Sequence, residues 1–259
     1  MPAKESPRPL IGINTDYFAA TKTYSAHARV NAGYFDAVLA SGGLPILLPP
    51  LGKEPEIDAM LDKLDGIVLT GGLDMDPRRN GQAMSNSIQL MADRRDANDR
   101  ILVRRVIERE VPVLAIGVGM QQLNVLMGGT LFLHLPLDVA KSMPHFDPSG
   151  GPHRHIVLLE PNTKIDEIYG GGELRVNSRH HQAIETVAPG LAISGTSPDG
   201  LPEAVESAGD VWVVAVQWHP ENLAGDPVSR RLFADFVRAA RERADGAPAG
   251  EAPADVVRR

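Results

Sequence analysis

Short apolar runs alternate with stretches of mixed polarity along most of this chain. The runs are LIGIN (10–14), LPILLPP (44–50), GIVLTGG (66–72), VPVLAIG (111–117), HIVLLE (155–160), LAISGTS (191–197) and VWVVAVQWHP (211–220). Runs this short with little polar interruption suit strands buried on both faces. The segments between them keep a helical period. Residues 96–110 gather Leu102, Val103, Val106 and Ile107 on one face, with Arg100, Arg104 and Arg105 around it. A last helix is expected from Gly225-Asp226-Pro227, where Asp226 is an N-cap candidate and Pro227 fits the first turn. Its apolar residues recur at Leu232, Phe233, Phe236, Val237 and Ala240. The alternation predicts an α/β fold with a mostly parallel central sheet and helices on both faces. No internal repeat is visible. From Ala244 onward ADGAPAGEAPADVVRR has no periodicity, and residues 244–259 are expected to form a mobile tail.

Composition narrows the function more than the fold. With 43% apolar and 23% charged residues, the 259-residue chain can bury a full core. A formal net charge of -7, and basic runs no longer than Arg104-Arg105 or Arg230-Arg231, disfavour nucleic acid and anionic membranes as partners. The amino terminus MPAKESPRPLIGI lacks a signal-peptide core, and no apolar run nears the roughly 18 to 20 residues that span a bilayer. A cytoplasmic location is expected. The chain has no cysteine, which removes disulfides, thiolate metal sites and thiol nucleophiles together.

In a sheet of this kind ligands bind beyond the carboxyl ends of the strands. Three strand-end loops carry candidate chemistry. In LTGGLDMDP, Gly71 and Gly72 let backbone N–H groups approach a ligand closely. In AIGVGMQ, Gly117, Val118 and Gly119 lead into a helix expected near Met120, so free N–H groups and a helix dipole converge. In VQWHPEN, Glu221 stands two residues after His219 and is placed to orient it as a base. Each has a plainer reading: a Gly-Gly turn, close packing of a helix on a strand, and a proline that ends a strand. Their joint occurrence, in order, favours a site.

The strings LDGIVLTGGLDMDP, PVLAIGVGMQQLNVLMGGTLF, VNSRHHQAIE, PDGLPEAVE and VQWHPEN resemble the γ-glutamyl-γ-aminobutyrate hydrolases, a branch of the class I glutamine amidotransferase-like superfamily. The likeness runs from about Pro9 to Val237. It implies a flavodoxin-like three-layer domain over residues 9–243, preceded by an extension at 1–8. It also implies hydrolysis of γ-glutamyl amides through an acyl-enzyme on a Cys-His-Glu triad. The family's His and Glu match His219 and Glu221, and its oxyanion amides match Gly72 and Val118. Gly71, Gly119 and Gln121, with Ser178, His180 and His181 of VNSRHHQ, complete the positions expected to face a ligand. The nucleophile is missing. Where the family reads Gly-Ile-Cys-Arg-Gly-Met-Gln, this chain reads Ala115, Ile116, Gly117, Val118, Gly119, Met120 and Gln121, and glycine can neither attack a carbonyl nor hold an acyl group. Asn80 and His134 also depart from the family pattern, replacing a Tyr and an acidic residue.

Ser178 and Thr70 are the alternative hydroxyl nucleophiles, although hydroxyls on such loops usually serve as caps or turn bonds. A metal is the stronger rival, because seven of the eight histidines follow residue 130. His153 and His155 would share a strand face, with His145, His180, His181, Asp147 and Glu221 as further ligands. The spacing matches no compact zinc signature, and the resembling family needs no metal at His155 or His180-His181. The expectation is therefore no metal and no cofactor. Two functions remain: a catalytically silent binder of a γ-glutamyl-like or other small carboxylate, acting as a sensor or with a partner enzyme, or an active hydrolase or transferase on a related amide that uses water activated by His219 and Glu221 or, as the lesser alternative, a metal. A homodimer is a further expected partner state.

Overall fold

The computed structural model describes residues 7–223 and 225–246. The first half comprises β1 (Leu10–Asn14), β2 (Asp16–Phe18), β3 (His27–Arg29), α1 (Ala32–Ala40), β4 (Leu44–Leu48), α2 (Glu54–Leu61), β5 (Gly66–Leu69), α3 (Asp93–Glu108), β6 (Val113–Ile116) and α4 (Val118–Leu126). There follow β7 (Thr130–Phe132), α5 (Leu135–Asp138), β8 (Arg154–Leu159), α6 (Lys164–Tyr169), β9 (Glu173–Asn177) and β10 (Ala183–Thr186). The chain continues through β11 (Leu191–Thr196), β12 (Pro202–Ser207), β13 (Val213–Val216) and α7 (Pro227–Gly246).

Nine strands form one sheet in the order β4-β1-β5-β6-β13-β12-β11-β8-β9. The pairs from β4 to β13 are all parallel, whereas the remaining four strands join antiparallel. Only β8 and β12 run against the rest, so the sheet is mostly parallel. Helices cover both faces, and strand alternation assigns the core accordingly. Leu114 and Ile116 pack with Phe233 and Phe236 of α7, while Val113 and Ala115 pack with Leu102 and Val106 of α3 and Leu123 of α4. Each large apolar side chain buried this way contributes about 1.5 to 3 kcal/mol.

Several boundaries differ from those expected. β5 stops at Leu69 and β6 at Ile116, so Thr70 to Gly72 and Gly117 lie past the strand ends. α4 begins at Val118 rather than Met120. α7 starts after Asp226, whose carboxylate accepts from the amides of Val228 and Ser229. It runs to Gly246, so residues 244–246 are helical where a tail was expected; the rest of that tail, and residues 1–6 of the extension, lie outside the described residues. The apolar pattern does not predict β9 and β12. Their sequences, ELRVN and PEAVES, put charge where a buried run would be apolar. Among the described residues, no helix is long and apolar enough to cross a membrane.

Candidate functional site

A cleft of about 1050 Å³ opens past the carboxyl ends of β1, β5 and β13. Gly71, Gly72, Tyr34, His219 and Glu221 line it, and Gly117 abuts two of these residues. Gly117 adopts φ 58° and ψ -118°, a backbone that L side chains rarely take. It joins β6 directly to the first turn of α4, which is the strand-turn-helix geometry of a nucleophile elbow. A Cβ built on Gly117 would lie 3.0 Å from His219 Cε1 and 3.3 Å from His219 Nε2. The apex therefore points at the imidazole.

His219 is oriented from behind. Its Nδ1 lies 2.8 Å from Oε1 of Glu221, which is 2% exposed. A carboxylate only accepts, so the bond places the ring proton on Nδ1 and, in the neutral ring, leaves the Nε2 lone pair facing Gly117. Asn177 fixes the backbone of His219 through two bonds: its Nδ2 donates to the His219 carbonyl at 2.9 Å, and its Oδ1 accepts from the His219 amide at 3.1 Å. The buried phenol of Tyr34 accepts from the Gly71 amide at 2.8 Å. Burial, and then the neighbouring Glu221 charge, push its pKa well above the ordinary phenol value.

Beneath Gly71 lies a polar core that sequence reasoning missed. Arg95, fully buried, pairs with Asp16 at 3.3 Å and Asp99 at 3.1 Å, and donates to the carbonyl of Gly71 at 2.9 Å. A Cβ at Gly72 would overlap its guanidinium, so Gly72 is required by close approach. A Cβ at Gly119 would overlap the Leu69 carbonyl, which makes Gly119 a helix-on-strand packing residue. The amides of Gly72, Val118 and Gly119 have no hydrogen-bond acceptor among the described residues.

The other expected positions divide. His181 lines the cleft, with Nε2 3.1 Å from the Asp74 carboxylate and Nδ1 3.1 Å from Nδ1 of His134. Ser178 and His180 lie along the cleft wall but spend their polar atoms inward. The Ser178 hydroxyl donates to the His145 carbonyl, and the Nδ1 of His180 donates to the Gln182 carbonyl. Gln121 does not face the cleft, because its amide donates to Gln217 in the core. Thr70 is buried and bonded to Asn14. Asn80 accepts from Arg100. Of the metal candidates, His145, His155 and His180 come together around Glu203, a residue sequence reasoning passed over. His153 lies outside the set, its ring centroid 6.3 Å from that of His155, and donates from Nε2 to the Pro144 carbonyl, while Asp147 bonds Ser149. At the cleft mouth, Arg29, Arg154 and Arg179 are exposed and carry no ion pair among the described residues.

The peptidase C26 family model matches residues 9–221. The chain belongs to that family. It is 39% identical over 237 residues to a Mycobacterium tuberculosis protein whose name places it provisionally among the glutamine amidotransferases, covering 90% of this chain and 75% of the relative. It is 34% identical over 220 residues to the γ-glutamyl-γ-aminobutyrate hydrolase of Escherichia coli strain K12, covering 80% of this chain and 84% of that one. Among solved structures, a Thermoplasma acidophilum protein, described provisionally as one of the subunits of GMP synthase, matches with a TM-score of 0.63 at 17% identity, covering 93% of this chain and 98% of that chain. The fold is the glutamine amidotransferase-like, flavodoxin-like one. This C26 member has the elbow, the dyad and the cleft, and at its apex a residue with no side chain.

Proposed function

We propose that this C26 member binds a γ-glutamyl-like or other small carboxylate ligand without hydrolysing it, as a sensor or beside a partner enzyme. The observation that carries the reading is Gly117: the apex pointing at His219 has no reacting atom, and the chain has no cysteine to replace one. Anion capture is supported by the free amide of Gly72 in the cleft past β5, by those of Val118 and Gly119 at the buried start of α4, and by three arginines at the mouth that carry no ion pair among the described residues. Incubation with γ-glutamyl amides should give no acyl-enzyme by intact mass and no glutamate above the blank. A thermal-shift screen of small carboxylates should find a stabiliser.

A second reading is favoured by one specific observation, the 2.8 Å bond between His219 and Glu221. A base so oriented can activate water, and preorganised amides lower the barrier to acyl transfer by several kcal/mol even without a covalent step. Turnover that disappears in His219→Ala would establish that mechanism and overturn the silent one.

A further inference from the structure

Away from the elbow, four buried polar side chains converge on one carboxylate oxygen. His145, His155, His180 and Glu203 are 2%, 5%, 7% and 0% exposed, and one atom from each lies within 4.8 Å of the other three. The outer nitrogen of every ring is committed to an acceptor. His145 Nε2 lies 3.0 Å from the Asp199 carboxylate, His155 Nδ1 3.0 Å from the Ile156 carbonyl, and His180 Nδ1 2.9 Å from the Gln182 carbonyl. Each of these bonds requires the proton on the outer nitrogen. In the neutral rings, His145 Nδ1, His155 Nε2 and His180 Nε2 are then lone pairs, and all three face Glu203 Oε1, at 3.2, 3.5 and 3.3 Å. None of these inward atoms, nor either oxygen of Glu203, has a well-formed hydrogen bond among the described residues.

With the rings neutral, four converging acceptors repel one another, and nitrogens 3.2 to 3.5 Å from Oε1 leave no room for a water between them and it. Protonating one ring satisfies one lone pair and leaves two against the carboxylate. A divalent cation satisfies all four. The three distances to Oε1 suit it, since ligands about 2.0 to 2.1 Å from a tetrahedral centre stand roughly 3.3 to 3.4 Å apart, and the nitrogens lie within 4.8 Å of one another. Carboxylate or carbonyl acceptors on the far side of each imidazole are the usual outer support of metal-bound histidine. The charges also fit, because two positive charges offset Glu203 and, one ring away, Asp199.

We propose that His145 Nδ1, His155 Nε2, His180 Nε2 and Glu203 Oε1 form a closed site for a divalent transition metal of the zinc class. Neutral imidazoles with one carboxylate, and no thiolate, suit zinc or cobalt(II) over calcium or magnesium. With every position filled by protein, the ion is structural. It would join the segments carrying His145 and His180 to β8 and β12.

The test uses the full chain without a histidine tag, stripped with chelator, dialysed against zinc ion and analysed for metal. About one zinc per chain is expected, and cobalt(II) in its place should give intense tetrahedral ligand-field bands. Glu203→Gln and His155→Ala should lose the ion while His153→Ala, which removes a histidine outside the set, keeps it. Chelator should lower the melting temperature of the wild type and leave that of Glu203→Gln unchanged. If a variant fails to fold, the wild-type stoichiometry and cobalt spectrum decide alone. A wild type that takes up no zinc, or whose zinc depends equally on His153, overturns the proposal and leaves a proton-sharing cluster. None of these readouts depends on whether the cleft hydrolyses anything.

Discussion

Replacing Gly117 with cysteine tests whether the elbow and dyad form a working geometry. The built Cβ is 3.3 Å from His219 Nε2, so a sulfur one bond further on comes within hydrogen-bond reach after a small rotation. The same Cβ is 3.0 Å from Cε1, and φ is 58°, so the ring must shift by a few tenths of an ångström and the backbone strain costs about 1 to 3 kcal/mol. A helix N-terminus and an imidazolium partner both lower a thiol pKa below about 8.5. A drop to about 6.5 raises the thiolate fraction at pH 6.5 from roughly 1% to 50%, close to fiftyfold. Intrinsic nucleophilicity falls with pKa, by about six- to tenfold for this shift, which leaves a net gain of about five- to eightfold. Because the native chain has no cysteine, iodoacetamide labelling reports this single thiol. The alkylation pH profile should have its midpoint near 6.5, and adding His219→Ala should return it toward 8.5. A midpoint near 8.5 regardless of His219 would refute the geometry on which both readings of the cleft depend.

Val118→Pro deletes one oxyanion-side amide at a first-turn position where proline is tolerated. It should sharply reduce the thermal shift given by a carboxylate ligand, worth about 2.7 kcal/mol at a hundred times Kd in the wild type, while the protein stays folded; an unchanged shift would remove that amide from the site. Gly119→Ala drives a methyl into the Leu69 carbonyl and should cost about 1 to 3 kcal/mol in urea unfolding; an unchanged midpoint would show that the helix can move off the strand. Asp76 caps the turn at Pro77–Asn80 and, held by the Arg78 guanidinium, has its pKa lowered to about 2. Its folded pKa lies below the unfolded value, so its contribution is complete above about pH 3.9 and fades as pH falls toward 2. Asp76→Asn should flatten that part of the acid-unfolding curve, as read by circular dichroism.

The parallel half of the fold was legible because its inner strands β1, β5, β6 and β13 are buried on both faces and read as unbroken apolar runs, whereas β4 reads the same way yet, at the sheet edge, exposes Leu44, Ile46 and Leu47. The three glycine- or histidine-bearing loops were legible for the same reason, since each directly follows such a run. The antiparallel half was harder to read. β12 buries Glu203 within PEAVES, and a buried carboxylate looks like a loop residue until the histidines that face it are known. Arg95 was hidden in DRRDANDR, which reads as a solvated helix start yet buries its second arginine beneath Gly71 and Gly72. The His145–Glu203 cluster has no local spacing to find, because its members come from four separate segments.

One short segment links the cluster to the cleft. Asn177 holds the backbone of His219 on one side, and Ser178 and His180 both bond the carbonyl of His145. His180 then turns its ring into the cluster, and His181 reaches Asp74 across the cleft. Asn177 is held by its pairing with Arg154 in the sheet, and His180, three residues on, supplies a second anchor that constrains it and, through it, His219. The angular tolerance of a side chain at the elbow is small, because a Cβ at position 117 would lie only 3.0 Å from His219 Cε1. Breaking the cluster should consequently be felt at a thiol it never touches. In a Gly117→Cys, Glu203→Gln double variant the alkylation midpoint should move from near 6.5 part of the way toward 8.5, and chelator should produce the same movement in Gly117→Cys alone. A midpoint that ignores both perturbations, in protein shown to be folded, would mean that Asn177 is held by the sheet alone and that the two polar centres are mechanically independent.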